Sequence, residues 1–207
     1  MIILGLTGSI GMGKTTAANA FRSLGVCVYD ADNTVHNLMK PGGAAVTQIL
    51  KVFPNTYVNG GINRQALVTT ILTDKKKIEK LENILHPLAQ EKQNAFLAIN
   101  ARRNKRLVVL DIPLLLETGG ERKCDGVVVV SAPNIVQRRR VLGRPSMTVE
   151  YFQMILDRQI ENNRKCHMAD FVVQTGLGRL HSLRAIDKII KQTKTWTPRH
   201  WPPTYNR

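Results

Sequence analysis

Five short apolar runs, rich in β-branched residues, are spaced along the chain: IILGLTG near the start, 26–30 (VCVYD), 107–111 (LVVLD), 127–131 (VVVVS) and 171–173 (FVV). They do not alternate with polar residues, as a strand with one wet face would. Continuous runs of this length are read as strands of a parallel sheet, buried on both faces. Between them, apolar positions recur at helical spacing, which predicts helices over 15–24, 74–100, 133–144, 149–164 and 182–193. The second is expected to break at His86-Pro87, because a proline pushes the residue before it out of the helical region. Strands alternating with helices predict an α/β fold with a doubly wound sheet. Residues 31–100 are long for one crossover and predominantly helical, so a helical substrate cap beside the sheet is expected there. The closing stretch WTPRHWPPTYNR has three prolines, no acid and no periodicity. It is expected to be loose, with two tryptophans that could dock on the domain.

Composition narrows this picture. A chain of 207 residues that is 43% hydrophobic fits one domain, or one domain with an inserted cap. No apolar run reaches the ~20 residues that span a bilayer. The first residues lack the basic segment and cleavage site of a signal peptide, and they read as a buried strand. Cys27, Cys124 and Cys166 lie far apart and form no CxxC pair, which suggests neither a disulfide framework nor a zinc site. Reduced thiols and a cytoplasmic protein are expected. The formal net charge of +15 favours polyanionic partners: nucleic acid, acidic membrane or multiply phosphorylated small molecules.

The first strand runs into GSIGMGKTT. Gly8, Gly13, Lys14 and Thr15 match the phosphate-loop pattern G-x-x-x-x-G-K-[ST]. Glycines let backbone N–H groups approach phosphate oxygens, and the following helix N-terminus favours an anion. Lys14 would neutralise the β- and γ-phosphates of ATP, and the Thr15 hydroxyl would reach Mg²⁺. Asp30 and Asp32 end the second strand, where ligands of open α/β sheets bind. Such acids can accept a proton from an attacking hydroxyl, hold Mg²⁺ through water, fix an acceptor, or merely cap a helix. Asp111 ends the third strand run at the place where a Walker B carboxylate would sit, and Glu117 is a charge in an apolar neighbourhood. The segment from 131 to 159 carries Arg138, Arg139, Arg140, Arg144 and Arg158, and can act as a lid over a triphosphate. Arg144, just before Pro145, is the first candidate there, and Arg138 the second.

These residues together resemble the dephospho-CoA kinase family, over about residues 1 to 190. The resemblance rests on GLTGSIGMGKTT, LGVCVYDADNTVH, Asn63-Arg64-x-x-Leu67, Leu85-His86-Pro87, VVLDIPLLLETGG, VQRRRVLGRPSMTVEYFQMILDRQ and ADFVVQTGLG. The wording is similar to the α-proteobacterial branch. The resemblance implies ATP-dependent phosphorylation of the ribose 3′-hydroxyl of dephospho-CoA, on a three-layer P-loop kinase fold with a parallel sheet, a helical substrate-binding insert and an arginine-bearing lid. In those terms the core covers about 1–30, 105–132 and 168–195, the insert about 31–100, the lid about 134–165 and the basic tail 194–207.

Carried over, Gly8, Gly11, Met12, Gly13, Lys14, Thr15 and Thr16 bind ATP phosphates, and Asp32 is the catalytic base. Lys14 and the lid's Arg144 act on the moving phosphoryl; Arg138, the second candidate from the arginine segment itself, is expected to contact the nucleotide. Asp30, Asp32, Arg64 and His86 line the acceptor site, and Thr15 holds Mg²⁺. Ser9, Met12, Gln174 and Cys166 depart from the family pattern, and the last two bear on contacts to the nucleotide base. The charge is then explained by anionic substrates, so neither nucleic acid nor membrane is expected as a partner, and a monomer or weak homo-oligomer is. A nucleoside-monophosphate or shikimate kinase would share loop and fold, but the DAD pair and the long helical insert argue against it. A nucleic-acid-associated NTPase finds support only in the charge and the Trp196/Trp201 tail. A GTPase lacks its N-K-x-D signature.

Overall fold

The computed structural model describes residues 1–71 and 74–202; residues 203–207 of the expected tail lie outside the described residues. In chain order the elements are β1 (Ile2–Thr7), α1 (Lys14–Ser23), β2 (Cys27–Asp30), α2 (Ala31–Met39), α3 (Val46–Val52), β3 (Tyr57–Val58), β4 (Gly61–Ile62), α4 (Arg64–Ile71), α5 (Lys75–Arg102), β5 (Leu107–Asp111), β6 (Gly126–Ser131), α6 (Asn134–Leu142), α7 (Val149–Asp157), α8 (Asn162–His167), β7 (Phe171–Gln174) and α9 (Arg179–Gln192). The chain divides into two compact units, Met1–Tyr29 with Asn100–Arg207, and Asp30–Ile99.

The larger unit is built on a five-stranded sheet in the order β2-β5-β1-β6-β7. Strand β1 runs parallel to both neighbours, with Leu4 opposite Val109 on one side and Gly126 on the other; β7 runs parallel to β6. All six residues of β1 and of β6 are buried, as continuous apolar runs require. Leu4, Leu6, Val128 and Val130 meet Phe21 of α1 and Ile186 of α9 in one core. The carboxyl ends of β1 and β5 therefore lie side by side, and both lead into the candidate site.

The smaller unit has a core of its own, in which Leu38, Ile49, Phe53 and Leu67 pack with Leu81 and Leu85 of α5. Its two-stranded hairpin turns at Asn59-Gly60, with φ of 49° and 84°. Both values lie in the left-handed region that a two-residue hairpin of this kind demands.

Three expectations need correction. Helix α5 does not break at His86-Pro87 but runs through Pro87 for 28 residues. Leu81, Leu85 and Leu88 place one face of it in the small core, and that burial offsets the hydrogen bond lost at the proline. The helix expected over 149–164 is two helices, because the Ile160 N–H donates to Glu117 Oε1 (3.0 Å) instead of to a helical carbonyl. The tail through Pro202 is held, not loose: Trp196 stacks on Phe171 with ring centroids 5.5 Å apart, and the Arg199 N–H donates to Asp125 Oδ1 at 2.7 Å.

Candidate active site

From β1 the chain turns through Gly8–Gly13 into α1. Gly11 (φ 77°) and Gly13 (φ 91°) are left-handed, a conformation that costs other residues roughly 1–2 kcal/mol. Gly8 is fixed by space, since a Cβ there would lie 2.4 Å from Val130 Cγ2. Gly13 precedes α1 with no side-chain cap, and no acid occupies the first turn. The first N–H groups of α1 are thus left for an anion.

Three successive carbonyls of the loop are turned to side chains. Gln137 Nε2 donates to Ile10 O (2.8 Å), Arg140 Nη1 to Gly11 O (3.4 Å), and Thr175 Oγ1 to Met12 O (2.6 Å). Arg140 also donates to Thr175 Oγ1 (3.0 Å) and Thr175 O (2.9 Å), so α6 and the turn after β7 hold the loop together. Gln159 Oε1 accepts from the Ile10 N–H at 3.0 Å. Met12 points into the core, where its Sδ accepts from the Ala132 N–H at 3.1 Å. Its side chain anchors the loop from below, and a ligand could meet only its backbone.

Lys14 Nζ lies 2.6 Å from Asp111 Oδ1, joining the ends of β1 and β5. Asp111 is buried, so this pair sits at low effective dielectric. Thr15 and Thr16 are exposed in the first turn of α1. Among the described residues no three His, Cys, Asp or Glu side chains cluster as a metal cage. The oxygen donors at hand are the Thr15 hydroxyl and the Asp111 carboxylate. Such a set suits Mg²⁺, which keeps several waters and is completed by substrate phosphates.

Behind the loop lies a buried ion pair. Lys165 of α8 is fully buried, and its Nζ is 2.6 Å from Glu117 Oε1, which also accepts from the Ile160 N–H. Glu117 thereby fixes the segment that carries Gln159. Among the described residues, Glu117 Oε2, Asn162 Oδ1 and Ser9 Oγ are buried without a hydrogen-bond partner, and Lys165 makes no well-directed hydrogen bond beyond its ion pair.

Arg138 and Arg144, the arginines singled out from the sequence, are exposed, and the phosphate loop is instead touched by Arg140. Gln137, Gln159 and Thr175 were also missed. Their amide and hydroxyl groups have no periodicity, and the signal in hand was charge.

The acidic pair and the basic acceptor candidates lie in the smaller unit. Asp30 Oδ1 accepts from the Asn33 N–H at 2.9 Å and caps α2, the structural use of aspartate weighed above. Asp32 is exposed in the first turn of α2. Arg64 Nη1 lies 3.3 Å from His36 Nδ1. Both line a cavity of about 250 Å³ with Lys40, Val58 and Asn63. Asn63 caps α4, accepting from the N–H groups of Gln65 and Ala66. His86 stands exposed on α5 and does not line that cavity. His36, a residue of the quoted DADNTVH stretch, takes the place beside Arg64.

The chain is similar to known proteins along nearly its whole length. A family model described as "Dephospho-CoA kinase" matches residues 2–178. A dephospho-CoA kinase of Mesorhizobium japonicum is 44% identical over 194 residues, 94% of this chain and 98% of that relative. One of Brucella melitensis is 48% identical over 184 residues, 89% and 90% of the two chains. Among solved structures, TT1252 from Thermus thermophilus superposes with a TM-score of 0.82 at 30% identity, covering 94% of this chain and 98% of that one.

Proposed function

This chain belongs to the dephospho-CoA kinase family, which makes it an enzyme of the last step of coenzyme A biosynthesis, and from that premise we propose how its residues divide the transfer of phosphate from ATP to the ribose 3′-hydroxyl of dephospho-CoA. The triphosphate lies on the N–H groups of Gly11, Gly13, Lys14, Thr15 and Thr16. Gln137, Arg140 and Thr175 keep the intervening carbonyls turned away, so the loop presents donors and not acceptors to an anion. Lys14 moves from Asp111 to the β- and γ-phosphate oxygens when nucleotide arrives.

Thr15 and Asp111 would hold Mg²⁺, whose charge offsets that of the phosphate oxygens. Asp32 orients the 3′-hydroxyl and accepts its proton late, because a loose transition state asks little of the base. Arg64 and His36 hold anionic or hydrogen-bonding groups of the acceptor, with Asp30 setting the start of α2. Arg138 and Arg144, which stand exposed, are the lid cations that meet the triphosphate from above. His86 takes a peripheral place on the acceptor. The observation that carries this reading is the 2.6 Å Lys14–Asp111 pair at the mouth of a loop whose carbonyls are pinned.

The test is direct. Purified protein with Mg-ATP and dephospho-CoA should yield coenzyme A by mass. Asp32→Asn should lower kcat about 10²- to 10⁴-fold, the usual worth of a general base, with nucleotide affinity unchanged. Near-full turnover in that variant would remove Asp32 from the role.

A further inference from the structure

The positive charge is not confined to the kinase site. No Asp or Glu occurs between Glu91 and Asp111, or after Asp187. In the larger unit these two acid-free stretches meet, since the Arg106 guanidinium donates to the Lys194 carbonyl. Between them lies a cavity of about 410 Å³, lined by Asn104, Lys105, Arg106, Trp196, Trp201 and Pro202, among others. Met1 and Ile2 also line it, so it opens at the amino ends of the strands. At ~3.3 Å per residue along β1, it is roughly 20 Å from the phosphate loop.

The tail is fixed there by its other residues. Trp196 stacks on Phe171 and lies against Gly126, where a Cβ would come 2.6 Å from the indole. Arg199 donates through its N–H to Asp125 Oδ1 and through Nη2 to Asp125 O (2.9 Å). The carboxylates at this end are engaged: Asp125 Oδ2 accepts from the Ile3 N–H, and Asp170 Oδ2 from the Val127 N–H. That leaves Trp201 half-buried at the cavity, which Lys105 and Arg106 also line, while Arg102, Arg103 and Lys194 are exposed and close in sequence to lining residues. The family model matches residues 2–178, and Trp196 and Trp201 lie outside that match.

We propose that this face binds single-stranded nucleic acid, with one base seated in the cavity against Trp201 and the backbone phosphates running over Arg102, Arg103, Lys105 and Lys194. An indole beside exposed cations is the combination that takes a base with its phosphates. A concave site favours an inserted base over a membrane surface, which would meet protruding apolar side chains.

The experiment is fluorescence anisotropy of a labelled 12-nucleotide uridine strand with the full chain, in saturating Mg-ATP so that the phosphate loop is filled. Binding should weaken about 5- to 150-fold in Trp201→Ala and be retained in Trp201→Phe. Arg103→Ala and Lys105→Ala should each flatten the slope of log affinity against log salt by about 0.7. Kinase turnover should be unchanged in all four variants. Binding that vanishes when ATP is added, that survives Trp201→Ala, or that is matched by free uridine monophosphate or by phosphatidylserine vesicles overturns the proposal. Because turnover is read separately, a failure here leaves the kinase reading standing, and the reverse holds.

Discussion

At the scale of single residues, the site depends on small polar groups more than on its charged ones. Thr175 is one hydroxyl that accepts from Arg140 while donating to Met12 O, and a Cβ on Gly13 would touch it at 2.8 Å. Thr175→Val keeps the shape and deletes both bonds. It should raise the KM for ATP and lower kcat/KM about tenfold, the effect of one or two hydrogen bonds on loop geometry; Thr175→Ser should restore both. Steady-state kinetics at varied ATP checks this, and a variant with unchanged kinetics would make Thr175 packing alone. Cys124 gives a second residue-scale prediction. Burial, and after it the charges of Asp125 and Glu121, push its thiol from the ordinary value of 9.0 up to about 12. The folded chain therefore holds this proton where the unfolded chain has lost it. Its stabilising contribution is complete below pH 9 and falls by about 1.4 kcal/mol per pH unit as pH rises from about 9 to 12. Urea unfolding at pH 8.5 and 10.5 should show a smaller loss of stability in Cys124→Ala than in the parent chain.

At the scale of elements, the Glu117–Lys165 pair ties the loop after β5 to α8, and through Ile160 and Gln159 to the Ile10 N–H of the phosphate loop. Lys165→Met alone leaves a buried carboxylate without its partner and should cost about 3–5 kcal/mol; adding Glu117→Gln should recover much of it. Thermal unfolding of the single and double variants measures this, and additive losses would refute the coupling. The double variant should regain turnover with its stability, because an amide oxygen at position 117 can still accept from the Ile160 N–H and hold the segment that carries Gln159. How much of this was legible varied by element. The apolar runs of β1, β5 and β6 were readable because burial on both faces leaves no alternation to misread, whereas β7 lies at the sheet edge with Val172 exposed and was legible from its short FVV run alone. The phosphate loop was readable because Gly11 and Gly13 need φ values that few other residues accept. Helix α5 was misread at Pro87 because the burial of Leu81 and Leu85 is tertiary, and overrides a local rule. The split between α7 and α8 was hidden because its cause, Glu117, lies 43 residues away in the chain. Likewise Arg140 looks like its neighbours in sequence, and only the fold brings it to Thr175.

At the scale of the whole molecule, the two units carry separate cores, which predicts separate opening. The larger is organised on five strands around Leu4, Val128, Phe21 and Ile186. Among the described residues the smaller has ten buried core side chains and one two-stranded hairpin. Small cores bury a lower fraction of their surface and are correspondingly marginal. Backbone amides of α2, α3 and α4 should therefore exchange with solvent at lower opening free energy than those of β1 and β6. Ile49→Ala should lower that energy further by about 2–5 kcal/mol within 30–99, leaving the amides of β1 and β6 unchanged. A non-hydrolysable ATP analogue at a hundred times its Kd should do the opposite, raising protection in the larger unit by up to about 2.7 kcal/mol. Hydrogen exchange read by mass spectrometry on the intact chain distinguishes the outcomes. If Ile49→Ala lowered protection equally in β1 and in α3, the chain would open as one cooperative body, and the two cores would not be separate units of stability.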